Sequence, residues 1–525
     1  MSTYDAVVVG GGHNALVTAA CLARAGRSVV VLESNDRAGG FVRTDELTLP
    51  GFRHDTYATA MPLFLSGAAW ADLGEDLTRA GLEFRNTAKP TGVSFPSGEA
   101  TFMSTNVEET VAELDRVAPG DGAALATLLE DFGPYIGPVF GLFAQDLAES
   151  RKEIGELMGD NEFAYLFMMS ARHLLEERFR SPLVRAMFAP WATHLGRGVD
   201  DANSGLWVIL VLLALQQAGM PTPAGGAEQL VHALSTVITK NGGEIRTSTP
   251  VNKIILQHGR AIGVETAHGE FVGGDTVVAS VNPDQLYLRL LAHEPDAVPP
   301  LIRRQAERYR YGLGVVQVHL ALSEPPCYPE PLQGVGQPHF TTGLDGVSKA
   351  LNEAVRGLLP ASPTISFDVP SSLDPSRCPE GRAVARLQIL EVPTVPRGDA
   401  TGEIDADGEW TEDLKNRFAD RIVEICGQHV PNLPGAVLGR HVISPAELKA
   451  HNVNSGPGAP FGGSHDLAGS YVFRPLPGQP SHTTTVPNVH LVGAGTWPGH
   501  GVNGGSGHVV ARRLLDGIGN GNTPV

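Results

Sequence analysis

Cysteine is scarce and scattered: Cys21, Cys327, Cys378 and Cys426 are the whole complement, and no two stand in a CxxC pair. That excludes a redox-disulfide motif and a cysteine zinc site, and it fits a reducing, cytoplasmic setting. No two histidines are four residues apart and no GxSxG elbow occurs, so neither a metal centre nor a serine hydrolase is expected. Basic residues are outnumbered, 39 Lys+Arg against 57 Asp+Glu, for a formal net charge of −18. A chain this acidic is not built for nucleic acid or anionic membrane surfaces. Long apolar runs are missing too, since the stretch Leu206 to Leu215 is about half of what spans a bilayer. It reads as a buried helix or the wall of an apolar pocket. No charged leader precedes the first apolar run, so a secretory signal is not expected.

Glycine, by contrast, is abundant: 62 residues in a chain of 525, long enough for two or three domains. Its placement at the start is informative. Tyr4-Asp-Ala-Val-Val-Val-Gly10-Gly-Gly12-His13-Asn14-Ala15 is an apolar run that breaks into glycines and opens an alanine-rich helix. This is the strand, phosphate-binding turn and helix of a dinucleotide fold. Gly10 permits the tight turn, Gly12 lets backbone approach a pyrophosphate, and Ala15 is small enough for the helix to lie close on the strand. The helix N-terminus then offers unpaired N–H groups to the diphosphate. A second apolar run, Ser28 to Leu32, ends in Glu33, about twenty positions after Gly12, where a carboxylate accepts ribose hydroxyls. An acid there argues against a 2′-phosphate, hence against NADP.

Glycine pairs recur in Arg37-Ala-Gly39-Gly40-Phe41, where backbone is expected to pass close to a ligand. From about Met61 to Leu213 the periodicity turns helical, for example over 107–117 and 163–179, with few strand signals. The run Glu149 to Glu156 reads as a solvated helical face, and Met168-Met169 as helix core. A helix after Gly225-Gly226 and alternating strands through Val251, Ile254, Ile262, Val264 and Val277-Val278 suggest a return to the first domain. Region 291–484, with Val315 to Leu322 and Ala383 to Val392 as strands, is expected to be an antiparallel sheet with one wet face. The chain then closes on a buried strand before Gly493-Ala-Gly495-Thr496, a glycine loop with Trp497, His500 and Val502, and a helix marked by Val510, Leu514 and Ile518. That helix is placed to point its positive end at the other half of the same ligand.

With both ends in view, the chain resembles the phytoene-desaturase-like branch of the FAD-dependent amine-oxidase and carotenoid-desaturase superfamily. The resemblance runs nearly full length and rests on the Gly10 to Ala15 turn with Glu33, the Arg37/Gly39/Gly40 segment, the Gly225-Gly226 helix and the Gly493 to Thr496 loop. It implies an α/β fold: a Rossmann-type, glutathione-reductase-like FAD-binding domain from residues 1–65, 215–290 and 485–525. A substrate domain would follow, helical over 66–214 and antiparallel sheet over 291–484. It also implies FAD as cofactor. Gly10, Gly12, His13, Asn14 and Ala15 would hold the diphosphate and Glu33 the ribose. Arg37, Gly39 and Gly40 would serve the diphosphate and ribityl region, Val251 the adenine side, and Gly493, Gly495 and Val502 the flavin ring. Phe41 departs from the pattern, standing where many relatives repeat an arginine, and Ala15 replaces a third glycine.

Flavin chemistry moves hydride to N5, so substrate oxidation is expected, with reoxidation by oxygen, a quinone or another acceptor. The apolar helices of 130–215 suggest a hydrophobic or bulky small-molecule substrate. Candidate proton acceptors are His500, then His54 and His508, with His194 a distant fourth; Trp497 is a candidate pocket wall. The nearest rival is a flavin amine oxidase, although none of the seven lysines falls in a motif that puts one at the flavin. A non-redox flavin-dependent isomerase or an FAD-binding scaffold is the third reading. Peripheral membrane contact and assembly into a homo-oligomer are left open.

Overall fold

The computed structural model describes residues 3–141, 145 and 147–517. Ile518 of the expected terminal helix lies outside the described residues. The chain opens with β1 (Thr3–Val9), buried from Ala6 to Val9, and α1 (His13–Arg24), buried from Asn14 to Ala23. β2 (Val29–Leu32) follows, buried throughout. A run of β-branched residues covered on both faces is what a central parallel strand requires. Next come α2 (Ala68–Arg79), β3 (Lys89–Ser94), β4 (Ala100–Met103), α3 (Ser204–Ala218) and α4 (Glu228–Lys240). After them stand β5 (Glu244–Arg246), β6 (Val251–Gln257), β7 (Arg260–Thr266) and β8 (Phe271–Ala279).

Six further strands and two helices complete the two layers: β9 (Gly314–Leu322), β10 (Val335–Phe340), β11 (Ile365–Asp368), β12 (Ala383–Val392), α5 (Glu412–His429), β13 (Val437–Ile443), β14 (Val489–Leu491) and α6 (Gly505–Leu515). The first sheet has seven strands in the order β6-β7-β8-β1-β2-β5, with β14 beside β8. Its β5, β2, β1, β8 and β14 run parallel, while β6, β7 and β8 form an antiparallel meander. α1, α2, α4 and α6 share one core on one face of it, through Leu16, Leu73, Leu77, Leu234 and Val510. The second sheet, also of seven strands, runs β13-β9-β12-β11-β10-β3-β4.

Several expectations are corrected here. Region 66–214 is not only helical: Lys89-Pro-Thr-Gly-Val-Ser and Ala-Thr-Phe-Met pair into β3 and β4 and extend the second sheet, and α2 packs on the first domain's core. Short threonine- and glycine-containing runs carry too weak an alternation to compete with the helical periodicity around them. The second sheet is mixed, since β3 and β10 run parallel. Nor is one face wet. All nine residues of β9 are buried, because the polar face is roofed by helices including α3 while the other packs Val316, Val318, Leu387 and Ile389 against α5. Each fully buried aliphatic side chain there contributes about 1.5–3 kcal/mol. The 163–179 periodicity is broken between Met168 and Ala171, leaving Met168 exposed rather than in the core. Lys152, Glu153 and Glu156 are exposed, as a solvated face requires. No helix among the described residues is long and apolar enough to cross a membrane.

Candidate functional site

Two cavities meet between the sheets. The first, of about 300 Å³, lies over the C-terminal ends of β1, β2 and β8, where ligands bind in such folds. Gly10, at φ +92°, donates its N–H to the Leu32 carbonyl (2.8 Å) and turns the chain out of β1. The first intrahelical bond of α1 runs from Leu16 N–H to Gly12 O (3.0 Å), so the N–H groups of His13, Asn14 and Ala15 have no helical acceptor. Gly12 bridges to Gly39, and Gly40 stacks so closely that an added Cβ would sit 3.4 Å from Gly12 Cα. Glu33 is buried at the end of β2, accepting Gly11 N–H at 2.6 Å and Asn35 N–H at 2.8 Å.

These features fit an FAD diphosphate and ribose. Bare backbone surrounds the cavity, helix donors point into it, and a fixed carboxylate stands where hydroxyls need acceptors. Val251 and Gly493 also line it. Gly495 does not: it is packed behind, where a Cβ would lie 2.7 Å from Asn282 Oδ1. Ala15 is buried in the helix interface. Arg37 is a correction, since its guanidinium is held by Asp45 (2.5 Å) and Glu228 (3.3 Å) and lines neither cavity. Two carboxylates on its own side outcompete a distant diphosphate. Sequence reading also missed Arg289, which lines this cavity and donates to Val251 O (3.0 Å), and His451, whose Nε2 is 3.1 Å from Gly40 O. Both come from segments without a motif, so only packing reveals them.

The second cavity, of about 270 Å³, adjoins the first: His13, Phe41, Pro460 and Ala494 line both. Phe41 meets Tyr57 edge-on at 4.8 Å. Met61, Leu195, Val211, Leu390, Phe461 and Val502 give this space an apolar character, and His194 and His500 face it. Burial holds the imidazoles neutral. It pulls His13 down to about 4, against a bond to the Gly501 backbone, and His500 to about 4, with Arg474 and Arg197 adding to the effect. His194 falls well below its ordinary value through burial and then His339, Arg386 and His500.

The ring nitrogens distinguish the two candidates. His500 Nε2–H donates to the His194 carbonyl (2.7 Å), and its Nδ1 lies 3.1 Å from His465 Nε2, so both nitrogens are engaged. His194 uses only Nε2, 2.9 Å from both His339 Nε2 and Ser366 Oγ. The histidine ranked fourth by sequence is therefore better placed than the first. The other candidates line neither cavity. His54 is buried beside Thr48 (2.8 Å) and against His319; His508 is buried between α6 and α2, where it pairs with Asp72 (3.1 Å). Trp497 is buried with Leu147 and Leu210 and rests on Trp207 and Tyr471. Each sits beside a glycine-rich or loop segment that does approach the site, but its own side chain turns into packing. No cluster of histidine, cysteine or carboxylate side chains among the described residues is arranged to hold a metal.

A dinucleotide cavity opening onto an apolar chamber defines a flavin-dependent oxidoreductase. The chain belongs to the flavin-containing amine oxidoreductase family, whose profile matches residues 16–515. It is 27% identical to the neurosporene-forming phytoene desaturase of Cereibacter sphaeroides over 97% of this chain and 94% of that protein. It is 26% identical to the rat pyridine nucleotide-disulfide oxidoreductase domain-containing protein 2, over the same shares of each. Among solved structures it shares its fold with cyclohexylamine oxidase from Brevibacterium oxydans, at TM-score 0.61 and 16% identity, covering 98% of this chain and 100% of that one. The resemblance drawn from the motifs holds: this is an FAD-dependent oxidoreductase acting on small molecules.

Proposed function

We propose that the protein is a dehydrogenase of the desaturase type, acting on a hydrophobic substrate in the 270 Å³ chamber. The observation that carries this reading is the chamber's lining: apolar side chains over most of one wall and, among the described residues, no lysine and no carboxylate. An ammonium substrate would be stripped of water there without an anion to receive it. Bound FAD supplies a hydride acceptor at N5, reoxidised by oxygen, a quinone or another acceptor.

The Gly10, Gly12, His13, Asn14 and Ala15 turn orients the diphosphate with its N–H groups, and Glu33 takes the ribose hydroxyls. Val251 packs on the adenine side. Gly39, Gly40, Gly493 and Val502 would let backbone lie close along the rest of the cofactor, Gly495 would support that loop from behind, and Arg37 braces the glycine segment through Asp45 and Glu228. With hydride from one substrate carbon going to the flavin, His194 would accept at Nδ1 the proton lost from the neighbouring carbon, while Ser366 and His339 hold its ring. His500 is a positioning residue: its bond to the His194 carbonyl fixes the backbone that carries that base. The unpaired cysteines support a cytoplasmic location.

The Phe41–Tyr57 pair in the chamber wall favours the second reading, an amine oxidase, since the resemblance to amine oxidases implies an aromatic pair lining the pocket. Mixing the yellow protein without air with lipophilic alkenes and with amines separates the readings. Bleaching near 450 nm by the alkenes supports dehydrogenation, and bleaching by amines alone overturns it. Turnover that requires prior reduction marks an isomerase; a flavin that neither class bleaches marks a scaffold.

A further inference from the structure

The chamber's two walls differ in kind. Helices and loops supply an apolar roof, including Met61, Leu195 and Val211, whereas the floor is the polar face of the second sheet. Period-two alternation places Gln317 of β9 opposite Gln388 of β12, with Arg386 on the same face, while their neighbours Val316, Val318, Leu387 and Ile389 fill the opposite core. The floor is not satisfied by the protein. Gln317 is 4% exposed; its Nε2 donates to the Tyr57 carbonyl at 3.0 Å, which fixes the amide's orientation, and its Oε1 is buried without a partner. The Thr59 hydroxyl, on the same chamber and 5% exposed, is also buried without a partner. Buried amides and hydroxyls are almost always paired, so an orphan acceptor and an orphan hydroxyl in one ligand chamber are positions kept for a ligand.

The charge balance narrows the ligand. Arg386 is occupied by Asp368, with Nε at 2.7 Å, and by the Tyr57 carbonyl. Among the described residues the chamber offers no free cation to a carboxylate and no anion to an ammonium. We infer that the substrate is a neutral lipophile carrying a hydroxyl group, whose O–H donates to Gln317 Oε1 and whose oxygen accepts from the Thr59 hydroxyl. Its apolar body lies under the roof. Gln317 and Thr59 are then specificity-determining residues that anchor the substrate at one end. This rests on the dehydrogenase reading of the chamber and names the class of substrate it takes.

The test is equilibrium binding of four probes with one body and different heads to the FAD-loaded, full-length protein, followed by the flavin difference spectrum. The probes are 4-phenylbutan-1-ol, butylbenzene, 4-phenylbutyrate and 4-phenylbutylamine. A site built to hydrogen-bond a hydroxyl rejects the analogue lacking it. The alcohol should bind about tenfold or more tighter than the other three. Gln317→Leu should erase that preference by weakening the alcohol while leaving butylbenzene unchanged or tighter, and Thr59→Val, which keeps the shape, should weaken the alcohol alone. Butylbenzene binding as tightly as the alcohol, or equal losses for both probes in the two variants, overturns the hydroxyl anchor and leaves the dehydrogenase reading intact. Tightest binding by the amine, with bleaching of the flavin, overturns both. Failure of all four to perturb the spectrum removes the chamber as the substrate site, and the anchor with it.

Discussion

Glu33 and His194 show how much can rest on single atoms. Glu33 ties the Gly11 and Asn35 N–H groups while keeping acceptor capacity for the ribose. Glu33→Arg removes two buried acceptors and adds a charge the site cannot place. Flavin occupancy, read as the 450 to 280 nm absorbance ratio after gel filtration, should fall at least tenfold; full occupancy would defeat the assignment. The loss of the two bonds alone is worth about 1–3 kcal/mol per unsatisfied group. His194→Phe should leave the flavin bound and slow its reduction by substrate about a hundredfold, in the range of a lost general base. His500→Ala should slow it far less. Equal slowing by the two, in stopped-flow reduction, would return the base role to His500. The place of Glu33 on the cavity wall was legible because the fingerprint fixes its distance from Gly12. His194 was not, since no local pattern reveals which of its nitrogens the fold leaves unengaged, and Trp497 and His54 misled because proximity in sequence to a glycine loop says nothing of side-chain direction.

At the level of elements, buried contacts between distant segments do the joining. Arg377 is fully buried, gripping Asp55 with both terminal nitrogens (3.0 Å each) and Asp374 with Nε (3.0 Å). Asp55 also accepts Ala227 N–H (2.7 Å) just ahead of α4. Arg377→Met leaves two carboxylates unpaired in the interior and should cost about 3–5 kcal/mol, measured by urea unfolding. α1 and α6 cross where Gly507 lies against Asn14, and an added Cβ would be 2.0 Å from the Asn14 carbonyl oxygen. Thr18 donates to Gly507 O (2.9 Å) at the same point. Gly507→Val should therefore push the helices apart and weaken flavin binding more than stability, so that occupancy drops while the melting temperature moves only a few degrees. β1, α1 and β2 could be read from sequence because each has a strong period and a glycine boundary. β3 and β4 could not, and the alternation in β9 and β12 gave the right strands with the wrong environment: what looked like a water-facing side is the chamber floor.

For the molecule as a whole, the buried neutral histidines set its response to acid. His13 and His500 are held near 4 and His339 and His54 near 3, all by burial first, against about 6.5 in an unfolded chain. The unfolded state thus binds more protons once pH falls below about 6.5, so stability is complete above that value and drains away down to the folded pKa values. Thermal melts should be flat from about pH 7 to 8 and fall steeply between about pH 6 and 4. A melting temperature unchanged at pH 5 would contradict the burial of these rings.

The parallel sheet takes β1 from the beginning of the chain and β14 from near residue 490, and α6 packs against α1 across that whole interval. During synthesis at 5–20 residues per second, the first helix waits roughly half a minute to two minutes for the one that covers it. Until then the core that α1 shares with α6 has only α2 and α4 to cover it, and the part that α6 closes stays open. Expression hosts that translate slowly or lack holding chaperones should accumulate this protein as aggregate, and supplying such chaperones should recover yellow, flavin-loaded material.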